Sequence, residues 1–455
     1  MMATPRKQLQ PRVDEAIDAG EMARLRQLLA DHHPADVADL LERMESAQQH
    51  RIFQLLDDEL AASVLDEIGR DATRDLLDKM PADNAARLLG RLPMDDAAEI
   101  LAEDVPEKQD ELLAVMDREK AAGIQRLLRY PPDSAGHLMT EHYVALQADM
   151  SATEALAEVR RMNETAETVS ELYVLDDGRQ LLGVISLREL INLPSSARVG
   201  DHMTTRVISV HPDSDQEHVA REVAQYDILA IPVVDSGRLL LGIITVDDII
   251  DVLVEENSED ILRFGAVESG SVDQPYFTVP LMRVLRNRFG WLLLLMVADT
   301  LTGAVLRQFS TRLAAVVQLS FYIPLLIGTG GNTGAQTVST IIRGLAIRDV
   351  HFSDLWRVLR RELLGGLLLG LALSLVAGTR AWLWDRDLQL ALVVGISIVV
   401  ICTWSNVMGS LIPLLASRLG IDPAVVSAPM ISTLVDSSGL FIYLSIAGLL
   451  LTGAI

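Results

Sequence analysis

Short apolar-periodic segments interrupted by proline fill residues 28 to 129, and each proline is soon followed by an acid. The runs are His33-Pro34-Ala35-Asp36, Met80-Pro81-Ala82-Asp83, Leu92-Pro93-Met94-Asp95 and Val105-Pro106-Glu107. Proline suits a first helical turn, and an acid there meets the positive end of the helix dipole. The last three runs recur every twelve or thirteen residues, which predicts a superhelical stack of two-to-three-turn helices. From 134 to 255 the pattern changes to a repeat. Leu138-Met139-Thr140 returns as His202-Met203-Thr204, and LLGVISLREL at 181–190 returns as LLGIITVDDI at 240–249. Each copy predicts a strand, a helix, an alternating strand (172–175 or 230–234), a turn, a strand, and a helix that starts after Ser186 or Thr245. The second copy runs into a helical pattern over 247–265, which sets Asp248, Asp251, Glu255 and Glu259 on one face. A linker with Gly270, Pro275 and Pro280 follows. Beyond it the chain is apolar, with five candidate spans near 290–309, 313–347, 363–384, 388–415 and 424–454. Stretches of about twenty apolar residues match the roughly 30 Å hydrocarbon layer of a bilayer.

Charge divides the chain at the same place. The 455 residues carry 39 basic and 63 acidic side chains, a net of −24, yet mean hydropathy is +0.26. Residues 281–455 hold thirteen Arg, no Lys and eight acids, so residues 1–280 carry a net of −29. An acidic module followed by a membrane-embedded one makes a purely soluble enzyme a poor fit, and the acidity repels nucleic acid. Cation partners are favoured. Cys402 is the one cysteine, which rules out an intrachain disulfide and a Cys-based zinc site. The N-terminus lacks the apolar core of a signal peptide, so the acidic module is expected in the cytoplasm. Arg283, Arg286 and Arg288 precede the first span, and Arg343, Arg348, Arg357, Arg360 and Arg361 lie between the second and third. The excess of arginine places both segments inside and the C-terminus outside. Trp291, Trp382 and Trp384 fall at span ends as interfacial anchors.

Within the second span, Gly328-Thr329-Gly330-Gly331-Asn332-Thr333-Gly334-Ala335-Gln336 reads as an interruption. So polar a stretch at membrane depth packs on protein or lines a water-filled path, and Gly330 and Gly334 also suit close helix packing. Asp436 falls in the middle of the fifth span. An unpaired carboxylate there costs about 2.5 to 3.5 kcal/mol on insertion scales, so it faces the bundle interior or binds a cation. Asp299 is a second mid-span acid, beside Thr300 and Thr302. The acid row at 248–259 repels itself unless cations neutralise it, although a solvated face is the usual fate of such a row.

The repeat resembles a tandem CBS pair, carried by Gly183, Ser186 and Glu189 in one copy and Gly242, Thr245 and Asp248 in the other. That resemblance implies an adenine nucleotide held with Ser186, Arg188, Glu189 and Thr245. N-capping by Ser186 and Thr245, with acids in the first turn, is the alternative. The order of modules, together with PLLIGTGGNTGAQ at 324–336, Pro413, Asp422-Pro423-Ala424 and the run from Pro429 through Asp436 to Gly439, resembles the MgtE family of magnesium channels. The resemblance implies a multidomain protein. It comprises an N-terminal tail (1–25), an all-α superhelical domain (26–133), α/β CBS domains (134–199 and 200–255), an acidic connecting or plug helix with linker (256–280), and a five-helix transmembrane pore domain (281–455). It further implies no enzymatic activity and a homodimer in the inner membrane, with Asp436 of each copy holding a hydrated Mg²⁺. Cytosolic Mg²⁺ at Asp95, Asp215, Glu217, Asp227, Asp248, Asp251, Glu256, Glu259 and Asp260 would close the pore. Ser63 stands where the family can supply an acid, His137 and Ala428 replace Gly and Asn, and Asp299 is a further departure. Three other readings compete. An intramembrane zinc protease needs His-Glu-x-x-His, and His351 is the only histidine after 218. An anion channel would not place an acid at mid-membrane. A proton-coupled divalent-cation exporter could use Asp299 and Asp436 as a relay.

Overall fold

Proline placement decides where the first helices begin. Pro34 opens the helix Pro34–Glu42 at its first position, whereas Pro81 and Pro93 stand one residue earlier, as N-cap residues with extended ψ. Elsewhere side chains do the capping: Asp57 accepts the Leu60 N–H, and Asp117 those of Glu119 and Lys120. In this computed structural model, residues 9–163, 165–268 and 279–451 are described. They fall into two units, the first over 9–256 with residue 279 and the second over 257–268 with 280–451. The helical stack begins earlier than expected. Leu9–Asp18 and Met22–Ala30 are helices, held by the buried Val13, Leu25 and Leu29, so the segment read as a tail already belongs to the stack. Leu41, Leu65, Leu76, Leu77, Leu89, Leu101 and Leu112 are fully buried in one continuous core. Each such leucine contributes about 1.5 to 3 kcal/mol relative to exposure.

The repeat folds as the pattern indicates. In the first copy Ala145–Gln147 pairs parallel with Glu171–Leu175, which pairs antiparallel with Leu181–Ser186. In the second, Ala230–Val234 pairs antiparallel with Leu240–Thr245, and a parallel bridge from Val210 to Val233 stands in for the first strand. The copies exchange their Met-Thr segments: Thr140 bridges to Ile243 and Thr204 to Val184. This exchange explains the repeated glycine. A Cβ at Gly183 would lie 2.9 Å from the Thr204 carbonyl oxygen, and one at Gly242 would lie 2.6 Å from that of Thr140. Glycine therefore recurs where each copy's backbone is laid against the other's.

The helix Val246–Phe264 follows the last strand directly. The helix thus starts within one residue of the pattern expected from 247, ahead of the domain division drawn at 256, and Asp248 in its first turn accepts the Thr245 N–H and hydroxyl. Gly270 and Pro275 lie outside the described residues.

In the second unit, Leu281–Gln308, Phe352–Asp385, Leu388–Arg418 and Ala428–Leu450 are long and apolar enough to cross a membrane. A fifth long helix, Gln318–Ala346, follows a short one at Ser310–Ala315. The expected interruption at 328–336 is absent, and the helix is continuous through it. Two features sustain it. Thr329 and Thr333 hydroxyls donate back to Leu325 and Thr329 carbonyls, and the glycines let neighbouring helices come close. A Cβ at Gly330 would lie 2.6 Å from Ile401 and 2.9 Å from Val435, and one at Gly334 would lie 2.9 Å from Ile431. Gly366 and Gly370 work the same way against the Thr403 and Val399 backbones, at 2.7 and 2.8 Å. The last helix is described to Leu450, and the expected end of its span at 454 lies outside the described residues.

Gly330→Val should force Gln318–Ala346 away from its two neighbours. A drop of several degrees in the thermal midpoint of detergent-solubilised protein is expected, with Gly328→Ala, whose added Cβ meets nothing within 4 Å, as the near-neutral control. Equal midpoints for the two variants would contradict this packing.

Candidate ion-binding sites

Two groups of carboxylates are short of basic partners, one in each unit. In the membrane unit, Asp436 lies near the middle of Ala428–Leu450 and is half-buried. That helix packs on Gln318–Ala346 and on Leu281–Gln308. The glycine-rich stretch faces it closely: a Cβ built at Gly331 would lie 2.7 Å from Ser432 Oγ and 3.6 Å from Asp436 Oδ1. Small residues thus leave backbone and hydroxyl oxygen beside the carboxylate. Asp299, on Leu281–Gln308, stands within electrostatic reach of Asp436. No lysine occurs after residue 280, and the arginines of this unit sit near helix ends. Thr337 donates to Asn406 at 3.0 Å and Asn406 to Glu362 at 3.0 Å, so a hydrogen-bonded network joins three helices nearby. None of the 28 residues of Leu281–Gln308 is buried.

In the first unit, Asp95 opens the helix Met94–Glu99 and is only 7% exposed, with Oδ1 unpartnered. Burial first, then Asp248 and Glu167, holds its carboxyl well above the ordinary range. Asp96 beside it is raised by burial, Asp66 and Asp95, and it shares a hydrogen bond with Asp66. Asp248 is pushed up to about 6, chiefly by burial, against hydrogen bonds from Thr245 that favour its charged form. Asp251 is raised by burial and then Asp247, and Glu99 goes up to about 8 by burial and Glu103. Lys120 faces Asp95, Asp96 and Glu167, and burial lowers its own pKa. Among the described residues no three Asp, Glu, His or Cys side chains converge closely enough to hold a metal ion. The arrangement is a set of crowded acids with a single lysine opposing Asp95 and Asp96.

Several expected ligands fall together here and others do not. Asp95, Asp248 and Asp251 join this cluster. Asp66, Asp96, Glu99 and Glu167 were not anticipated, although the doublets Asp66-Glu67 and Asp95-Asp96 could have signalled them. Ser63 bonds back to Glu59, and Asp66, about one turn on and on the same face, shares a hydrogen bond with Asp96. The acidic row is partly compensated: Glu255 pairs with Arg70 at 3.0 Å, Glu256 accepts from Gln216 at 2.9 Å, and Glu259 pairs with Arg263. Asp260 follows on the same helix. Asp215 caps Gln216–Tyr226 and Glu217 pairs with Arg221, while Asp227 ends that helix in a left-handed conformation. A helix of eleven residues, at about 1.5 Å per residue, separates Asp227 from the other two by roughly 16 Å.

Ser186 and Glu189 are engaged in a capping box. Ser186 Oγ accepts the Glu189 N–H at 3.2 Å, and Glu189 accepts the Ser186 N–H at 3.0 Å. Thr245 donates to Asp248 at 2.7 Å. Arg188 is exposed.

Comparison with known proteins agrees with this layout. Residues 323–446 match the MgtE divalent cation transporter family, 32–133 the MgtE intracellular N domain, and 135–196 and 199–255 the CBS domain. The chain is 41% identical to the magnesium transporter MgtE of Thermus thermophilus over 96% of its length and 98% of the relative's. It is 37% identical to that of Bacillus subtilis over 74% of its length and 73% of the relative's. A crystal structure of the cytosolic domain of the Mg²⁺ channel MgtE in complex with ATP aligns with 53% of this chain and 99% of its own. Its TM-score is 0.51 at 35% identity.

The raised carboxylates fix the sign of a pH effect. A carboxylate raised on folding makes the folded state bind more protons than the unfolded one, so stability falls as pH rises through the interval. For Asp248 that interval runs from its ordinary 3.8 to about 6, and Asp95 and Asp96 extend it upward. The thermal midpoint of the cytoplasmic transition in the full chain, free of divalent cations, should therefore fall as pH rises from about 4 to 7. Asp96→Asn should flatten the slope and raise the midpoint at neutral pH. A midpoint that rises with pH would contradict the arrangement.

Proposed function

We propose a mechanism from one premise: the chain belongs to the MgtE family of divalent cation transporters, and it transports Mg²⁺. It is a transporter and not an enzyme, with a cytosolic N-terminal part and a helical membrane part. The observation that carries the mechanism is Asp436, a mid-membrane carboxylate facing a glycine-lined helix with no base beside it. Mg²⁺ dehydrates reluctantly and is usually bound by one or two carboxylates with several waters kept. A carboxylate from each of two copies, with oxygens near Gly331 and Ser432, would hold a hydrated ion without stripping it. Selection would then act on the size and field of the hydrated ion. A homodimer supplies the second carboxylate through its two-fold axis. The C-terminus lies outside, as the arginine distribution requires, and the domain divisions follow the modules, with the connecting helix at 246–264.

Cytosolic Mg²⁺ closes the pore. Asp95, Asp248 and Asp251, with Asp66 and Asp96, would receive it in one cluster, and Glu256, Glu259 and Asp260 along the connecting helix. Asp215, Glu217 and Asp227 offer further acids, too far apart in one chain to share an ion. Each bound ion replaces repulsion with attraction, and a ligand favouring one arrangement shifts the linked equilibrium by its difference in affinity. An adenine nucleotide binds the CBS pair near Ser186, Arg188, Glu189 and Thr245. The support is the ATP held by the similar cytosolic domain.

Asp436→Asn should abolish Mg²⁺ uptake into proteoliposomes while leaving the protein folded, since a neutral amide cannot balance a divalent ion. Asp299→Asn should reduce uptake less. Equal losses, together with loss of proton dependence, would favour the exporter instead.

Replacing Asp248, Asp251, Glu255 and Glu259 together by Asn or Gln should leave currents large at millimolar internal Mg²⁺, where the parent closes. It should also remove Mg²⁺-dependent protease protection of residues 1–280. Reduced current at every internal Mg²⁺ concentration would refute the gate, because neutralising a mere electrostatic funnel weakens cation delivery.

A further inference from the structure

We propose that Arg263 is the positioning residue that ties the connecting helix to the pore helix, an inference that rests on the Mg²⁺-closed gate described above. Arg263 is the second-to-last residue of Val246–Phe264. Its Nη2 pairs with Glu259 one turn back, and its Nη1 donates to Asp422 Oδ2 at 2.6 Å. The other oxygen of Asp422 accepts the Ala424 N–H at 2.8 Å and so sets the turn Pro423–Val425. Two residues on, Ser427 is fully buried and caps Ala428–Leu450 through the Met430 N–H. Asp436 lies on that helix about two turns further. One carboxylate therefore serves two purposes: it shapes the loop before the pore helix and receives a charge from the connecting helix.

A second contact runs parallel to the first. Phe264, next to Arg263, packs against the cluster of Val338, Ala416, Val426, Ile431 and Val435. Ile431 and Val435 are the residues against which Gly334 and Gly330 close. The end of the connecting helix thus touches both the loop before the pore helix and the face by which that helix meets Gln318–Ala346. All of these residues lie in the second unit.

The chemistry of the guanidinium suits the role. Its planar fork can serve two carboxylates at once, which a lysine ammonium on a single flexible stem does less well. Glu259 belongs to the acidic row that receives Mg²⁺ in the proposed gate. An ion that takes Glu259 leaves the guanidinium to Asp422 alone, tightening its hold on the loop, while loss of the ion returns Arg263 to a divided attachment. Arg263 in this way converts occupancy of the helix into a restraint on the pore helix.

The test is Mg²⁺ uptake by the full chain in proteoliposomes across a range of internal Mg²⁺ concentrations. Arg263→Gln should raise the concentration that half-closes the pore about fivefold, the size expected of a part-exposed ion pair, with uptake at low internal Mg²⁺ unchanged. Asp422→Asn keeps an oxygen for the Ala424 N–H and loses the charge, so it should give a similar shift. The double variant should shift no further than either single one, and Arg263→Lys should fall between parent and Arg263→Gln. An unshifted midpoint, strictly additive shifts, or uptake lost even at low internal Mg²⁺ in Arg263→Gln would overturn the proposal alone. A parent that takes up Mg²⁺ and never closes would overturn the gate and this proposal together.

Discussion

Carboxylates without enough bases are the constraint around which both units are organised. A desolvated negative charge must be protonated, paired or met by a cation. In the cytoplasmic unit burial and mutual repulsion raise the carboxyls of Asp95, Asp96, Asp66 and Asp248 together. In the membrane unit neither Asp436 nor Asp299 has a lysine within its unit. In the proposed mechanism the same shortage would serve as a sensor in water and as a binding point in the bilayer. A small cation that keeps its waters would suit both, so that in this mechanism one ion is cargo and regulator.

Close backbone approach makes these sites possible. Gly330, Gly331 and Gly334 bring a polar helix against Ile401, Ile431, Val435 and Ser432, so oxygen atoms reach the neighbourhood of Asp436 without opening the helix to lipid. In the CBS pair Gly183 and Gly242 let each copy lay its Met-Thr segment on the other, which fuses two short sheets into one body. The second copy then passes into the connecting helix with no loop between them, since Thr245 ends the strand and donates to Asp248 in the first turn of the helix.

The helix Val246–Phe264 has two differently balanced ends. Asp247, Asp248 and Asp251 near its start face other acids, whereas Glu255, Glu256 and Glu259 have partners in Arg70, Gln216 and Arg263. Charge compensation thus increases toward the membrane unit, and the uncompensated acids gather where Asp95 and Asp96 stand.

Local pattern was sufficient for the modules. Proline and acid placement indicated the helical stack, a sixty-residue repeat indicated the paired CBS copies, and apolar runs with arginine flanks indicated the membrane part, because capping, pleat alternation and span length are properties of neighbouring residues. Asp436 was equally legible, since a carboxylate inside an apolar run is conspicuous from the chain alone. Three things were decided only by tertiary structure. Gly328 to Gln336 read as a break and is helical, because the neighbours that fill the glycine notches come from residues about 70 to 100 positions away. Ser63 read as a missing acid, yet Asp66 reaches Asp96 from the same helix face. The row Asp248, Asp251, Glu255 and Glu259 read as a face awaiting cations or solvent, yet two of its acids meet Arg70 and Arg263, and Glu256 beside it meets Gln216. Spacing along a helix fixes which face a side chain shares, but what lies opposite that face is set by packing of distant segments, and a charge's meaning depends on what lies opposite.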